Sequence, residues 1–139
     1  MDSLNKRLDW LGAVCGSLGL TEVTLLPGRA EELSRRPDLR DAFDLATARA
    51  VAPLRLLSEL CLPFVRPGGH FLAMKAMDSA QELQEAEPAI RLLQGRPLPP
   101  AEYSIPHTDI TRRVLLVEKL APTPDVYPRR WAKMQKVPL

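Results

Sequence analysis

Apolar residues recur at helical spacing through the opening stretch SLNKRLDWLGAVCGSLGL, where Leu4, Leu8, Leu11, Cys15 and Leu18 share one stripe. The spacing predicts a helix, with Asp2 or Ser3 as its N-cap and Gly19 as its C′ stop. The run EVTLLPG is short, apolar and ended by Pro27-Gly28, the pattern of a buried strand. RAEELSRR reads as one or two helical turns, and AFDLATA as a second strand. In PLRLLSELCLPFV, Leu54, Leu57, Cys61 and Phe64 fall on one side of a helix that Pro53 opens. RPGG reads as a turn and HFLAMK as a third strand.

SAQELQEAEPAIRLL carries the capping-box pair Ser79 and Glu82. Pro88 inside it predicts a kink or a restart. GRPLPPAEYSIPHTD is Pro-rich and irregular, with a short strand expected at Tyr103–Ile105. Arg113 to Lys119 forms the last strand, and an extended Pro-containing tail follows. Helices and strands alternate in this order, which predicts an α/β architecture with a mostly parallel sheet. The expected organisation is one sheet domain over residues 1–120 and an extended basic tail over 121–139.

The 139 residues suit one domain with a sizeable core. A hydrophobic fraction of 45% and a charged fraction of 26% are ordinary for a globular protein. No run approaches the roughly 18 apolar residues of a membrane helix. The start lacks the basic and apolar regions of a signal peptide, so the expectation is a cytoplasmic protein with no membrane partner. Cys15 and Cys61 lie inside apolar helical patterns and read as free, buried thiols. His70 and His107 are far apart with no ligand pattern around them, and no metal site is expected. After Asp125 the chain carries Arg129, Arg130, Lys133 and Lys136 and no acid. Such a tail reads equally well as a polyanion-binding segment or as a solvated terminus.

In open α/β sheets, ligands bind beyond the carboxyl ends of the strands. Arg29 follows the first predicted strand, Arg49 the second and Lys75 the third. Three cations at one sheet edge would face an anionic ligand; the alternative is that strand ends are exposed and often basic. The chain has no GxSxG, HExxH, P-loop or GxGxxG motif, and thus no visible acid–base or nucleophilic apparatus. Asp2 stands directly before a helix. It reads locally as an N-cap; with a strand before it, it would also stand where a doubly wound fold carries its ribose-binding acid.

The phrases DSLNKRLDWL, GRAEEL, FDLATARAVAPLRLLSELCLPFVRPGGHFLAMK, RRVLLVEK and YPRR…PL together resemble the RsmG family, also called GidB, of 16S rRNA guanine-N7 methyltransferases. The resemblance implies a Rossmann-like fold that uses S-adenosylmethionine. It implies that Asp2, Ser3 and Leu4 lie near the cofactor ribose, that Ala30 and Glu31 border the adenine, and that Arg49 contributes to the cofactor site. Arg29, Lys75, Arg113, Arg129 and Arg130 become RNA-phosphate candidates, with 16S rRNA or the small ribosomal subunit as partner. Against the family pattern, the tail reads WAKMQKVPL where a basic Gly-containing run is usual, and Ala76 stands where a Gly is usual.

The resemblance also implies an incomplete fold, because the family's first two strands and the Gly-rich loop between the first strand and its helix are absent from the sequence. Isolated chain is therefore expected to bind S-adenosylmethionine poorly. It is also expected to fold marginally or to associate through open strand edges. The missing acid–base motif fits the implied chemistry, since guanine N7 carries a free lone pair and needs alignment rather than deprotonation; no catalytic base is expected. Two other classes stay open on the residues: a non-catalytic α/β RNA-binding module, and a different Rossmann-like enzyme. The basic tail and the quoted phrases argue against the latter.

Overall fold

The computed structural model describes residues 1–49, 51–77 and 79–139. Ala50, inside the phrase ATARAVAPL, lies outside the described residues. The elements run α1 (Asn5–Ser17), α2 (Ala30–Leu33), β1 (Phe43–Arg49), α3 (Leu54–Cys61), a 3-10 turn (Leu62–Phe64), β2 (Val65–Lys75), α4 (Ala80–Leu92), β3 (Gly95–Pro97), β4 (Ala101–Ser104), β5 (Thr111–Lys119) and α5 (Trp131–Lys136).

α1 ends where the glycine predicts. Gly19 takes φ +66, and the N–H groups of Gly19 and Leu20 donate to the carbonyls of Gly16 and Cys15. Those two bonds form a Schellman stop. Its start differs from expectation: Leu4 is the cap residue, and neither Asp2 nor Ser3 closes the first turn with its side chain.

The five-stranded sheet is ordered β1-β2-β5-β3, with β4 also on β5. α3 and α4 cover one face. There Leu54, Leu57, Ile90 and Leu93 pack against Phe71, Ala73, Leu115 and Val117, all essentially sealed from solvent. Burying each such Leu, Ile or Phe contributes about 1.5–3 kcal/mol. On the other face, Leu45 and Met74 stay exposed, as alternation along a strand dictates when only one face is covered.

Among the described residues only the strands β1 and β2 pair in parallel; β2–β5, β3–β5 and β4–β5 are antiparallel. The mostly parallel expectation is therefore corrected. A parallel pair needs a crossover helix, which α3 supplies between β1 and β2, whereas β3, β4 and β5 follow one another without a helix. EVTLLPG, residues 22–28, forms no strand: the segment makes one isolated parallel bridge, Pro27 with Asp2. Its composition suits a strand, but among the described residues no ladder partner lies beside it.

RPGG lies within β2 rather than outside it. The register slips between Phe43↔Val65 and Leu45↔His70, so the extra residues bulge out of the ladder. Gly69 is required there, since a Cβ would stand 2.6 Å from the Asp44 carbonyl oxygen. α4 runs unbroken through Pro88, held by the sealed side chains of Ala86, Ala89 and Ile90. The Ser79–Glu82 capping box does not form. Ser79 makes no cap bond, its hydroxyl is buried without a partner, and Glu82 turns to α3 instead. Pro53 is the cap of α3, one residue before the helix proper. The tail is not extended throughout: α5 interrupts it, and Met134 is fully buried.

Candidate functional site

The residues that the resemblance implies lie near a cofactor begin at the Asp2–Pro27 bridge, the one isolated bridge among the described residues. Asp2 donates its N–H to Leu26 (3.3 Å) and accepts from Gly28 N–H (3.1 Å). Residues 2–4 are thereby fixed against the Gly28–Glu31 turn. The Asp2 carboxylate accepts from Leu4 N–H at 2.9 Å and from Arg7 at 3.2 Å. The Leu4 N–H, with smaller help from Arg7, holds its pKa below the usual carboxylate value. Ser3 and Leu4 are exposed, Ala30 is half-buried and Glu31 is buried. Arg29 Nε donates to Glu31 Oε1 at 2.6 Å. Arg29 also lies over the Trp131 ring, 5.7 Å from its centroid.

Arg29 thus belongs with α5 rather than with Arg49 and Lys75. The expected trio of cations at one sheet edge is reduced to two, because residues 22–26 do not join the sheet and their end is not at its edge. Arg49 closes β1 opposite Met74, and Lys75 closes β2 opposite Arg113. Arg49 is exposed and has no carboxylate partner among the described residues. Lys75 Nζ is held by Glu82 (2.7 Å) and the Ala52 carbonyl (3.1 Å). The same Glu82 oxygen accepts from Leu54 N–H at 2.6 Å. One carboxylate from α4 thereby satisfies the open amino end of α3 and fixes Lys75, which explains the unused capping box. Arg113 is likewise bonded to Glu102, at 2.7 Å.

The tail is built in by the cationic side chains of Lys119, Arg40 and Arg129. Lys119, sealed at the end of β5, donates to Asp41, to the carbonyls of Leu62 and Val65, and to Thr123. Burial lowers its pKa, against the opposing pull of Asp41. Arg40 donates to the carbonyls of Thr123, Pro124 and Tyr127. Arg129 forms a fork on Glu59, Nη2 to Oε2 at 2.7 Å and Nε to Oε1 at 2.9 Å, and its backbone N–H reaches the same carboxylate at 2.7 Å. Glu59 is 1% exposed. Its carboxylate holds the Arg129 guanidinium above the ordinary value. Arg130 is exposed with no carboxylate partner among the described residues.

Cys15 and Cys61 are free thiols, and both are half-buried rather than sealed. Desolvation pushes the Cys61 thiol up to about 12, which removes it as a nucleophile. Among the described residues no three His, Cys, Asp or Glu side chains converge, and no helix is long and apolar enough to cross a membrane. A hollow of about 370 Å³ lies between α1 and residues 25–27, lined by Leu8, Gly12 and Leu25 among others. The Asp2 neighbourhood fits the ribose end of a nucleoside cofactor. Each carboxylate oxygen has spent one acceptor position, and a free acceptor position remains on each.

The GidB family model, rRNA small subunit methyltransferase G, matches residues 1–110. Curated relatives align over the whole chain: the ribosomal RNA small subunit methyltransferase G of Lachnoclostridium phytofermentans is 42% identical, and that of Lactobacillus johnsonii 44%. The chain spans 57% of the first relative's length and 58% of the second's. Among solved structures, an rRNA methylase from Streptococcus thermophilus superposes with a TM-score of 0.56 at 16% identity, covering 86% of this chain and 70% of that one. A SAM-dependent methyltransferase from Methanosarcina mazei also gives 0.56, at 12% identity, covering 86% and 80%. These two likenesses show the fold, a Rossmann-like methyltransferase α/β sheet. The family-model match carries further: the chain belongs to the GidB family of small-subunit rRNA methyltransferases.

Proposed function

We propose that this chain forms part of a cytoplasmic methyltransferase that transfers a methyl group from S-adenosylmethionine to N7 of a guanine in 16S rRNA, free or in the small ribosomal subunit. The observation that carries the reading is the Asp2–Pro27 bridge, which sets an accessible carboxylate beside the Gly28–Glu31 turn. Asp2 would accept from the ribose hydroxyls, with Ser3, Leu4, Ala30 and Glu31 around the nucleoside and Arg49 at the sheet edge. S-adenosylmethionine supplies the electrophilic methyl carbon. The chain's own work is to bind, orient and exclude water, since N7 has a lone pair ready and alignment supplies the larger part of the rate. Arg130, and less directly Arg29, Lys75 and Arg113, would face RNA phosphates. The last three also hold Glu31, Glu82 and Glu102.

The test uses the Lachnoclostridium relative with its matched region replaced by this chain. The chimera should methylate a guanine N7 of small-subunit RNA. Asp2→Asn in it should weaken S-adenosylmethionine binding about tenfold, the loss of a charged hydrogen bond, and leave RNA affinity unchanged. A folded chimera that transfers no methyl group, or an Asp2→Asn variant with unaltered cofactor affinity, would overturn the reading.

A further inference from the structure

Arg129 reads in the sequence as an RNA-phosphate contact, yet each of its three side-chain nitrogens already donates to a protein partner. Nε and Nη2 go to Glu59, Nη1 donates to the Val137 carbonyl at 2.9 Å, and the backbone N–H also goes to Glu59. These bonds bracket α5 on both sides, at residue 129 before it and at residue 137 after it. Met134 seals the inner face of α5, and Trp131 stacks with Arg29 at its first turn. Facing outward are the exposed cations Arg130, Lys133 and Lys136, beside Ala132 and Gln135, with no acid on the helix.

We propose that Arg129 is a positioning residue, held by Glu59, and that the helix it fixes is an RNA-binding surface contacting phosphates through Arg130, Lys133 and Lys136. The inference rests on the RNA reading above and changes which residues carry it. An exposed Arg or Lys on a fixed helix meets phosphate without first paying to order the backbone. A guanidinium already forked on a buried carboxylate would have to give up that pair to do so.

Binding of a labelled 16S-derived RNA hairpin to the full chain, measured against salt, tests this. Each lost phosphate contact lowers the slope of log K on log salt by about 0.7–0.9. Replacing Arg130, Lys133 and Lys136 together with Gln should lower it by about 2–3. Glu59→Gln keeps every positive charge and removes a negative one, so a simple electrostatic effect would tighten binding. The proposal expects the opposite, a tenfold or greater loss of affinity, and the same from Arg129→Lys, which keeps charge but not the fork. In a Trp10→Phe background, Trp131 fluorescence anisotropy should fall in both of these variants and stay unchanged in the triple variant.

Unchanged or tighter RNA binding by Glu59→Gln would overturn the positioning role, as would unchanged Trp131 anisotropy. A triple variant with the wild-type slope, or a wild-type chain that does not bind RNA, would overturn the surface. Failure of methyl transfer in the chimera with this binding pattern intact would count against the enzymatic reading alone.

Discussion

The two ends of the chain are held in opposite ways. The first region, residues 1–28, has the better-looking pattern: a well-spaced helix with a glycine stop and an apolar run. Yet α1 buries only Leu8, Trp10, Leu18 and Leu20 stay exposed, and two backbone bonds tie Asp2 to the rest. The last region, residues 120–139, has the poorer pattern, broken by prolines. It is nonetheless fixed by Lys119, Arg40 and Arg129, with Met134 sealed beneath it. Periodicity measures what a helix could bury; it does not supply the surface to bury it against. Irregular backbone is instead held by donors that reach its carbonyls.

The contrast can be broken most sharply at Lys119. Lys119→Met should cost about 3–5 kcal/mol in urea unfolding, since it strips Asp41, Thr123 and two carbonyls of their buried partner. Arg40→Ala should cost about 2 kcal/mol through its lost carbonyl bonds. At the other end, Leu8→Ala should cost about 2 kcal/mol, whereas Trp10→Ala should stay within about 0.5 kcal/mol. The smallest effect is in pH. Burial lowers the folded pKa of Lys119 below its ordinary 10.5, so the unfolded chain binds this proton more tightly. Stability from this group then rises with pH between the folded value and 10.5. The gap between wild type and Lys119→Met should widen from pH 8 to pH 10, and a gap that narrows would contradict the assigned shift.

Much of the core was legible. Leu54, Leu57 and Phe64 of the predicted helical stripe are sealed, and so are Leu115 and Val117 of the predicted last strand. Position along the chain, however, did not reveal which side chains would be taken by distant partners. Ser79 and Glu82 have capping-box spacing, but Glu82 is drawn to Lys75 and Leu54 across the fold. Lys119 drew no role beyond ending a strand and Arg129 read as an RNA-phosphate candidate, because their partners Asp41 and Glu59 are 78 and 70 residues away. Asp2 was a further case. Its local role as a cap fails, and its backbone instead bridges to Pro27 and bonds Leu26 and Gly28. From the open edge of β1 among the described residues we propose weak cofactor binding by the isolated chain. Low-micromolar S-adenosylmethionine binding in a calorimetric titration of the monomer would contradict that.

Amide hydrogen exchange followed by segment tests the central contrast most directly. The account predicts that the amides of Arg129, Met134 and Val137 exchange as slowly as those of β5, while α1 exchanges earlier through local opening. Protection of α1 equal to β5, with a rapidly exchanging 129–137 segment, would contradict it.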